Sequence, residues 1–408
     1  MSQSAGPSQE RAGSVAACGA CAVFDDSMTA YHFGPHHPMS PLRIDLTMRL
    51  AASLGVVGGE GLPIAEVPVA DDDLLALVHT SGYVDAVRRV SADPHHIDPS
   101  RGLGTDDNPA FAGMHEASTR IVTASVDAAR RVWTGSQQHA ANICGGLHHA
   151  MPGAASGFCI YNDVAAAIAW LLDQGAKKVA YVDVDVHHGD GVQAIFYDDP
   201  RVLTVSLHES PQTLFPGTGL PTEIGGRGAE GSAVNVALPP ETTDAGWLRA
   251  FHAVVPAVLR AFEPDVLVTQ HGCDGHRTDP LAHLNLTVDG QRASYLVLHE
   301  LAHELCAGRW VVTGGGGYSI SDAVPRAWTH LLAIVAGQPL DPATVIPQEW
   351  RDHVERTLGM TAPTRMTDDG AVAFRDWSLG YDPGSWLDRS IHATRSAAFP
   401  ALGLDPQP

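Results

Sequence analysis

Short runs of β-branched residues alternate with longer segments of helical periodicity along most of this chain. The predicted strands are 21–24, 179–186, 202–207, 266–269 and 310–313. The predicted helices are 42–54, 116–133, 164–174, 245–262, 291–306 and 321–336. This alternation is typical of an α/β fold built on one mostly parallel sheet flanked by helices. In such sheets, ligands bind beyond the carboxyl ends of the strands.

The composition predicts one domain between two tails. Residues 1–18 are rich in Ser, Gly, Gln and Ala and are expected to be disordered. Residues 19–388 form the predicted domain, because 44% of the chain is hydrophobic and no linker or repeat interrupts it. Residues 389–408 are expected to be a loosely held tail. We find neither a signal peptide nor an apolar run near the roughly 18 residues of a membrane span, and we expect a cytoplasmic protein.

The charge balance is acidic, with 25 Lys and Arg against 46 Asp and Glu and a formal net charge of -21. This balance opposes direct nucleic-acid binding, which is driven by clustered Lys and Arg. It favours cationic partners such as lysine-bearing proteins or polyamines, although acidity that only aids solubility is an equally good interpretation. The six cysteines do not form a disulfide framework, and a metal or redox role for the isolated pair Cys18 and Cys21 stays open.

The strongest local signal is the segment Tyr-Val-Asp-Val-Asp-Val-His-His-Gly-Asp at 181–190. If the strand persists that far, its alternation places Asp183, Asp185 and His187 on one face. Buried carboxylates and an imidazole are costly unless a cation pairs with them, and Asp and His are ordinary zinc or iron ligands. A solvated edge strand is the alternative. The valines between the polar residues argue against it.

A second carboxylate segment, Gln-His-Gly-Cys-Asp-Gly at 270–275, directly follows the predicted strand 266–269. Asp274 therefore lies where a strand ends, although this segment alone is also consistent with a simple turn. Together with Asp185 and His187 it completes a set of three ligands. Three protein ligands leave a position open for water and substrate, as a catalytic metal site requires.

Tandem histidines at His148 and His149 and a tyrosine after four glycines, Tyr318, complete the reactive residues. Tandem histidines are often surface residues, but here Asp183 and Asp190 are available as partners that would raise imidazole basicity. Two such pairs beside a metal would supply a general base and a general acid. The phenol of Tyr318 would stabilise an oxyanion, unless it is a packed core residue.

Five motifs in a fixed order carry a family resemblance. They are Gly-Gly-Leu-His-His-Ala, Ser-Gly-Phe-Cys-Ile-Tyr-Asn-Asp, Asp-Val-Asp-Val-His-His-Gly-Asp-Gly, Phe-Pro-Gly-Thr-Gly and Gly-Gly-Gly-Gly-Tyr, found between about residues 31 and 337. The chain resembles the zinc-dependent histone deacetylases, most closely their prokaryotic branch of acetoin utilization proteins. The resemblance implies the arginase/deacetylase fold and hydrolysis of N-ε-acetyl-lysine in proteins.

The resemblance also implies residue roles. Asp185, His187 and Asp274 would bind one catalytic Zn²⁺ or Fe²⁺. His148 would pair with Asp183 and act electrostatically, and His149 would pair with Asp190 and be the main general base and acid. The other implied roles are substrate tunnel and rim (Asp106, Gly157, Phe158, Phe215, Leu281), acetate channel (Arg43) and two structural K⁺ sites (Asp183, Asp185, His187, Ser206 and Leu207; Phe196, Asp199 and Val202).

The substrate is the least determined part of the prediction. Acetylated proteins, among them acyl-CoA synthetases, are the expected partners, and an acetylpolyamine amidohydrolase is the nearest alternative. An arginase-type ureohydrolase would need two manganese ions. An acetyl-lysine binding module would leave the proton-transfer residues without use. The oligomeric state is open.

Overall fold

The computed structural model describes residues 19–408 and contains an eight-stranded sheet whose strand pairings are all parallel. The strands are β1 Ala20–Val23, β2 Ile64–Ala65, β3 His139–Asn142, β4 Val179–Asp183, β5 Val202–Glu209, β6 Ala233–Leu238, β7 Val266–Gln270 and β8 Trp310–Thr313. Their order across the sheet is β2-β1-β3-β8-β7-β4-β5-β6. The prediction of an α/β fold with a single parallel sheet is confirmed.

Helices connect and cover these strands in the described part of the chain. They are α1 Leu42–Ser53, α2 Ser81–Ala92, α3 Met114–Trp133, α4 Asp163–Asp173, α5 Asp190–Phe196, α6 Asp244–Phe262, α7 Val288–Cys306, α8 Ala323–Val335, α9 Gln348–Leu358 and α10 Trp386–Ala398. The six predicted helices lie within three residues of observed ones. As the sequence indicated, α4 begins at Asn162, whose side chain accepts a hydrogen bond from the backbone N–H of Ala165.

The central strands are short and apolar because both faces of the sheet are covered. All residues of β4, β5 and β7 are buried. Strands buried on both faces are continuous hydrophobic runs, which is how they were recognised in the sequence. In β4 and β7 the charged or amide residues are at the carboxyl ends, where Asp183 ends β4 and Gln270 ends β7, whereas β5 also carries Thr204 and Ser206 along its length.

The prediction that residues 389–408 form a loosely held tail is wrong. Helix α10 packs against the edge strand β6, and Thr394 donates a hydrogen bond to the carbonyl of Asn235 in that strand at 2.6 Å. Ile391 and Phe399 are buried. Covering β6 in this way shields an edge that would otherwise expose unpaired backbone groups. The predicted disordered tail 1–18 lies outside the described residues.

Between residues 19 and 408, none of the helices combines the length and the apolar character needed to cross a bilayer.

Candidate active site

Polar loops follow the four central strands β3, β8, β7 and β4, which are neighbours in the sheet. The carboxyl ends of parallel strands meet at one edge, so these loops converge although they are far apart in sequence. The six side chains expected to perform the chemistry lie in them: His148 and His149 after β3, Asp185 and His187 after β4, Asp274 after β7 and Tyr318 after β8. All six line or adjoin one buried site.

The predicted strand 179–186 ends early, at Asp183. Beyond Asp183, two backbone N–H groups bond to carboxylates instead of to a neighbouring strand. Asp183 Oδ1 accepts from the N–H of Asp185 at 3.1 Å, and Asp185 Oδ1 accepts from the N–H of His187 at 3.0 Å. Short Asp side chains compete with regular structure in this way. Strand alternation therefore does not extend to His187, and the loop itself directs the ligands inward.

Asp185, His187 and Asp274, here called the metal triad, present three candidate ligand atoms within 4.8 Å of one another, all buried. His187 Nδ1 lies 3.2 Å from Asp185 Oδ1 and 3.1 Å from Asp274 Oδ2. Two ligands of a tetrahedral zinc ion at its usual bond lengths are about 3.3 Å apart. The spacing fits a divalent cation.

The remaining oxygens of the triad are held by other groups. Asp185 Oδ2 accepts from the Gln270 amide at 2.7 Å and from the N–H of Gly316 at 2.8 Å, and Asp274 Oδ1 accepts from the N–H of Val186 at 3.0 Å. Each carboxylate thus has one fixed oxygen and one that faces His187. A side chain at position 316 would begin 2.0 Å from Asp274 Oδ2, so only glycine fits there.

The triad concentrates negative charge in a buried place. Burial lowers the pKa of His187, but its hydrogen bonds to Asp185 and Asp274 outweigh this effect and raise the pKa to about 10. The two carboxylates therefore stabilise a positive charge at their centre. A bound divalent cation would supply that charge directly, as the donor set of two carboxylates and one imidazole requires.

The tandem histidines form two histidine–aspartate pairs. His148 Nδ1 lies 2.7 Å from Asp183 Oδ2, and His149 Nδ1 lies 2.6 Å from Asp190 Oδ1. A carboxylate accepts, so both Nδ1 atoms donate and the tautomers are fixed. The two Nε2 atoms face each other at 3.0 Å.

The two pairs differ in protonation. Burial lowers the pKa of His148, but the charges of Asp183 and Asp185 raise it to about 9. For His149, burial and then the positive charge of His148 lower the pKa to about 4, against the opposing effect of Asp190. At neutral pH the arrangement is a cationic His148 beside a neutral His149, which suits His149 to accept a proton.

Tyr318 is held by both its backbone and its ring. Its N–H donates to Asp279 Oδ2 at 2.7 Å, and its ring packs edge-on against Phe158 with the centroids 5.7 Å apart. The guanidinium of Arg43 lies 5.4 Å from the Tyr318 ring centroid and 5.1 Å from that of Trp328. Tyr318 is thus a wall of the site rather than a residue of the central core.

Arg43, predicted to line an acetate channel, is 4% exposed and donates to the carbonyls of Gly315 and Gly317. It lines a cavity of about 20 Å³ with Cys144. This cavity and the one beside the metal triad share Met39 in their walls. Arg43 therefore lies close to the reactive residues, in the wall of a separate cavity.

A cavity of about 270 Å³ leads from the surface to the metal triad. The predicted tunnel residues Gly157, Phe158, Phe215 and Leu281 line it, together with Asp107, His149, His187, Leu214 and Tyr318. The Phe215 ring centroid is 5.0 Å from that of His149. A side chain at position 157 would begin 2.2 Å from the His149 ring, so glycine keeps the tunnel open beside the proposed base.

The assignment of Asp106 to the tunnel rim is wrong. Asp106 is exposed, whereas Asp107 lines the cavity and accepts from the N–H of Gly157 at 2.8 Å. The buried Asn108 also donates to Asp107, at 3.1 Å, and so fixes which of the two neighbouring carboxylates faces inward. Adjacent identical residues cannot be told apart by their motif, since only the turn determines their directions.

The residues of the predicted K⁺ sites lie in two neighbouring places. Pairing of β4 with β5 sets Asp183 opposite Ser206, next to Leu207 and near the loop of Asp185 and His187. Phe196 ends α5, and the N–H groups of Asp199 and Val202 donate to the carbonyls of Phe196 and Asp199 in the turn before β5. Both K⁺ sites stay predictions.

Several residues that organise the site were not predicted. Asp163 accepts from the N–H groups of Gly146 and Leu147 and so holds the loop before the tandem histidines. Asp279 accepts from the N–H groups of Tyr318 and Leu281, at 2.7 and 3.0 Å, and joins two walls of the tunnel. Both are buried carboxylates in or just after a motif, Asp163 as the last residue of 156–163 and Asp279 four residues after 270–275, and that position is the one signal that would have indicated them.

Comparison with known proteins decides the family. The family model described as histone deacetylase domain matches residues 37–335. The chain belongs to the histone deacetylase family. It is similar to the acetoin utilization protein AcuC of Bacillus subtilis (strain 168), at 40% identity over 85% of this chain and 89% of that protein. The AcuC protein of Staphylococcus xylosus is 36% identical over 85% of this chain and 90% of its own length.

Solved structures agree with this placement. The crystal structure of a histone deacetylase homologue from Aquifex aeolicus superposes with a TM-score of 0.79 at 26% identity, covering 92% of this chain and all of the other. The arginase/deacetylase fold predicted from the motifs is thereby confirmed. The chain is a deacetylase, a hydrolase of a metal-dependent family, and the metal triad is the group of described residues at its site that suits a metal ion.

Proposed function

We propose that this deacetylase hydrolyses the acetyl amide of N-ε-acetyl-lysine in proteins and releases acetate and free lysine. The observation that carries the proposal is the tunnel between Phe158 and Phe215, which ends at the metal triad. Aromatic walls accommodate the lysine methylenes and a neutral amide, whereas a charged free amine would lose its hydration there. The product is therefore expected to leave more readily than the substrate.

The chain's own residues provide the proton transfers. Asp185, His187 and Asp274 would hold a divalent ion, which would supply polarisation of the acetyl carbonyl and a lower pKa for a water molecule. His149 accepts the water proton at Nε2 while the water oxygen attacks the amide carbon. The hydroxyl of Tyr318 donates a hydrogen bond to the oxygen that becomes negative. The protonated imidazole then donates to the leaving nitrogen, the C–N bond breaks, and acetate and the lysine amine result.

The metal in this proposal is Zn²⁺ or Fe²⁺, since an Asp, His, Asp set suits both ions. K⁺ ions would be structural, one beside Asp183 and Ser206 and one in the turn at Asp199. Acetylated proteins of the cytoplasm, acyl-CoA synthetases among them, are the proposed substrates.

The test is a comparison of kcat/KM on acetyl-lysine peptides with protein loaded with zinc or iron. We expect turnover with at least one ion, and a loss of about 10²- to 10³-fold in Tyr318→Phe, which removes one oxyanion donor. Tyr381→Phe is the matched control, because Tyr381 packs against Trp377 in the C-terminal segment. Full activity of Tyr318→Phe would refute the oxyanion role, and no turnover with either ion would refute the function.

Acetylated polyamines are the second candidate substrates. The Asp107 carboxylate in the tunnel wall and the net charge of -21 favour a substrate with a cationic tail. The ratio of kcat/KM for an acetyl-lysine peptide to that for acetylated putrescine or spermidine separates the two. A ratio above one supports lysine, and a ratio well below one assigns the tunnel to polyamines.

A further inference from the structure

Three histidines meet at the opposite end of the sheet from the active site. His139 is the first residue of β3, and His299 and His303 lie one turn apart on α7. One nitrogen of each ring lies within 4.8 Å of one nitrogen of each of the others. The ring centroids are 4.7 to 5.0 Å apart. We call these residues the histidine cluster.

The spacing on α7 suits metal binding. Residues four apart share one face of a helix, so two imidazoles can reach the same ion. His299 Nε2 and His303 Nε2 are 3.2 Å apart. Zinc–nitrogen bonds of about 2.0–2.1 Å in a tetrahedron place two nitrogens about 3.3 Å apart, so this pair needs almost no movement.

The third imidazole is already oriented. His139 Nδ1 lies 2.9 Å from the carbonyl oxygen of Val335, which can only accept, so Nδ1 carries the hydrogen and the neutral ring has its lone pair on Nε2. Metal-binding histidines are commonly fixed by such a bond from the other nitrogen to a backbone carbonyl.

The surroundings favour a cation and leave a path to it. His303 lies in the last turn of α7, and Val335 is the last residue of α8, so the negative ends of two helices are close. The ring centroid of Trp310 lies 5.5 Å from the ring centroids of both His139 and His299, so an indole forms an apolar wall of the cluster. His303 is exposed, so an ion and a water as fourth ligand can enter from solvent.

We propose that the histidine cluster binds one divalent transition-metal ion of the zinc class, at a site separate from the metal triad. Three imidazoles with an open position are a normal environment for Zn²⁺, Ni²⁺ or Cu²⁺. The ion joins the end of α7 to the beginning of β3.

The test counts zinc ions bound by the untagged full chain. We expect two Zn²⁺ per chain in the wild type, one in His303→Ala, and two in the control His96→Ala, which removes another exposed histidine. In the background Asp274→Asn, one Zn²⁺ should remain, and addition of His303→Ala should weaken its binding at least tenfold. His303 is exposed, so this variant is expected to fold.

Cobalt provides a second measurement. Co²⁺ added to the Asp274→Asn protein should give the visible absorption bands of a tetrahedral site, and these should disappear in Asp274→Asn with His303→Ala. The proposal is overturned if His303→Ala binds as much Zn²⁺ as the wild type, or if the wild type binds one ion that only Asp274→Asn removes. Neither result bears on the deacetylase activity, which depends on the metal triad and its neighbouring residues at the other end of the sheet.

Discussion

The two ends of the sheet hold candidate metal ligands in opposite physical states. At the carboxyl end the triad is charged, and its fixed oxygens receive hydrogen bonds from Gln270, Gly316 and Val186. At the amino end the ligands are three imidazoles with no carboxylate among them, and one of them is oriented by a backbone carbonyl. A buried charge without partners costs several kcal/mol, so the site that contains carboxylates needs a dense network of hydrogen bonds and the imidazole site does not. Substitutions should therefore abolish catalysis at one end and leave it intact at the other.

The largest effect is expected at the triad. Asp274→Asn removes a charged ligand and should lower kcat/KM at least about 10³-fold, with loss of zinc from the active site. His303→Ala, at the other end, should keep kcat/KM within about twofold. Steady-state assays with metal analysis measure both. Equal losses of kcat/KM in the two variants would contradict the conclusion that only the carboxyl end of the sheet takes part in catalysis.

The two histidine–aspartate pairs refine the comparison within the active site. His149→Ala removes the neutral imidazole that lines the tunnel and should lower kcat about 10²- to 10⁴-fold. His148→Ala should have a smaller effect, because this residue contributes charge rather than a proton acceptor. The assay is kcat on one acetyl-lysine peptide, with thermal unfolding as the control for folding. A larger loss of kcat in His148→Ala than in His149→Ala would show that His148 is the main proton acceptor.

Asp279 tests whether the two tunnel walls that contain Tyr318 and Leu281 must be joined for catalysis. Asp279→Asn loses one of the two acceptors that bind the N–H groups of Tyr318 and Leu281. We expect kcat to fall about 10- to 100-fold because the phenol is misplaced, while zinc content and Tm stay near wild-type values. Asp106→Asn, an exposed neighbour of the rim, is the control. A change in Tm with no change in kcat would show that Asp279 has a structural role only.

Asp368, at the N-terminal end of α7, should affect the stability of the fold without affecting catalysis. Asp368 is 2.8 Å from His276 Nε2, 2.8 Å from Arg326 Nη2 and 2.9 Å from the N–H of Val288, where α7 begins. Burial raises the pKa of Asp368, but the bond from His276 and the charge of Arg326 hold it well below its usual range. Asp368→Asn should lower the free energy of unfolding by about 3 kcal/mol at pH 7.

The pH dependence of that loss has a definite sign. Because the folded pKa is depressed, the stabilisation is complete above the unfolded value of about 3.9 and declines as the pH falls below it. Urea unfolding at pH 7 and at pH 3 should therefore show a smaller difference between wild type and Asp368→Asn at the lower pH. Asp85→Asn, at an exposed position, should show no difference at either. A difference that grows in acid would contradict the depressed pKa.

The sequence predicted several elements whose residues agree with their structure, but it did not predict β6, which reads Ala-Val-Asn-Val-Ala-Leu. Strands β4, β5, β7 and β8 are rich in valine, and each was recognised within a few residues. Strand β3 reads His-Ala-Ala-Asn and has no β-branched residue, so it is a strand only because β1 and β8 pair with it. Helix α10 was missed because its amphipathic face is partnered only by the folded edge of the sheet.

The residues of the active site also fall into two groups, those that the local sequence indicates and those that depend on the folded structure. Asp185, Asp274 and Tyr318 were indicated by their position after apolar runs, which depends on local sequence alone. Asp107 and Asp279 depend on the direction that a side chain takes in a folded loop, and no periodic pattern carries that information. The histidine cluster joins β3 to a helix about 160 residues later in the chain, so its members are unrelated until the sheet has formed.

The strand order has a consequence for how the enzyme is made. Strands β7 and β8 are the last to be synthesised, yet they lie between β3 and β4 in the middle of the sheet. A growing chain that ends before Trp310–Thr313 therefore holds the tandem histidines and Asp185 on two separated halves. Such non-local pairings form slowly, and incomplete chains expose unpaired strands to other chains. Deacetylation thus begins only when the final strand has been inserted, and a ribosome-bound chain or a truncated product is expected to be inactive and prone to aggregate.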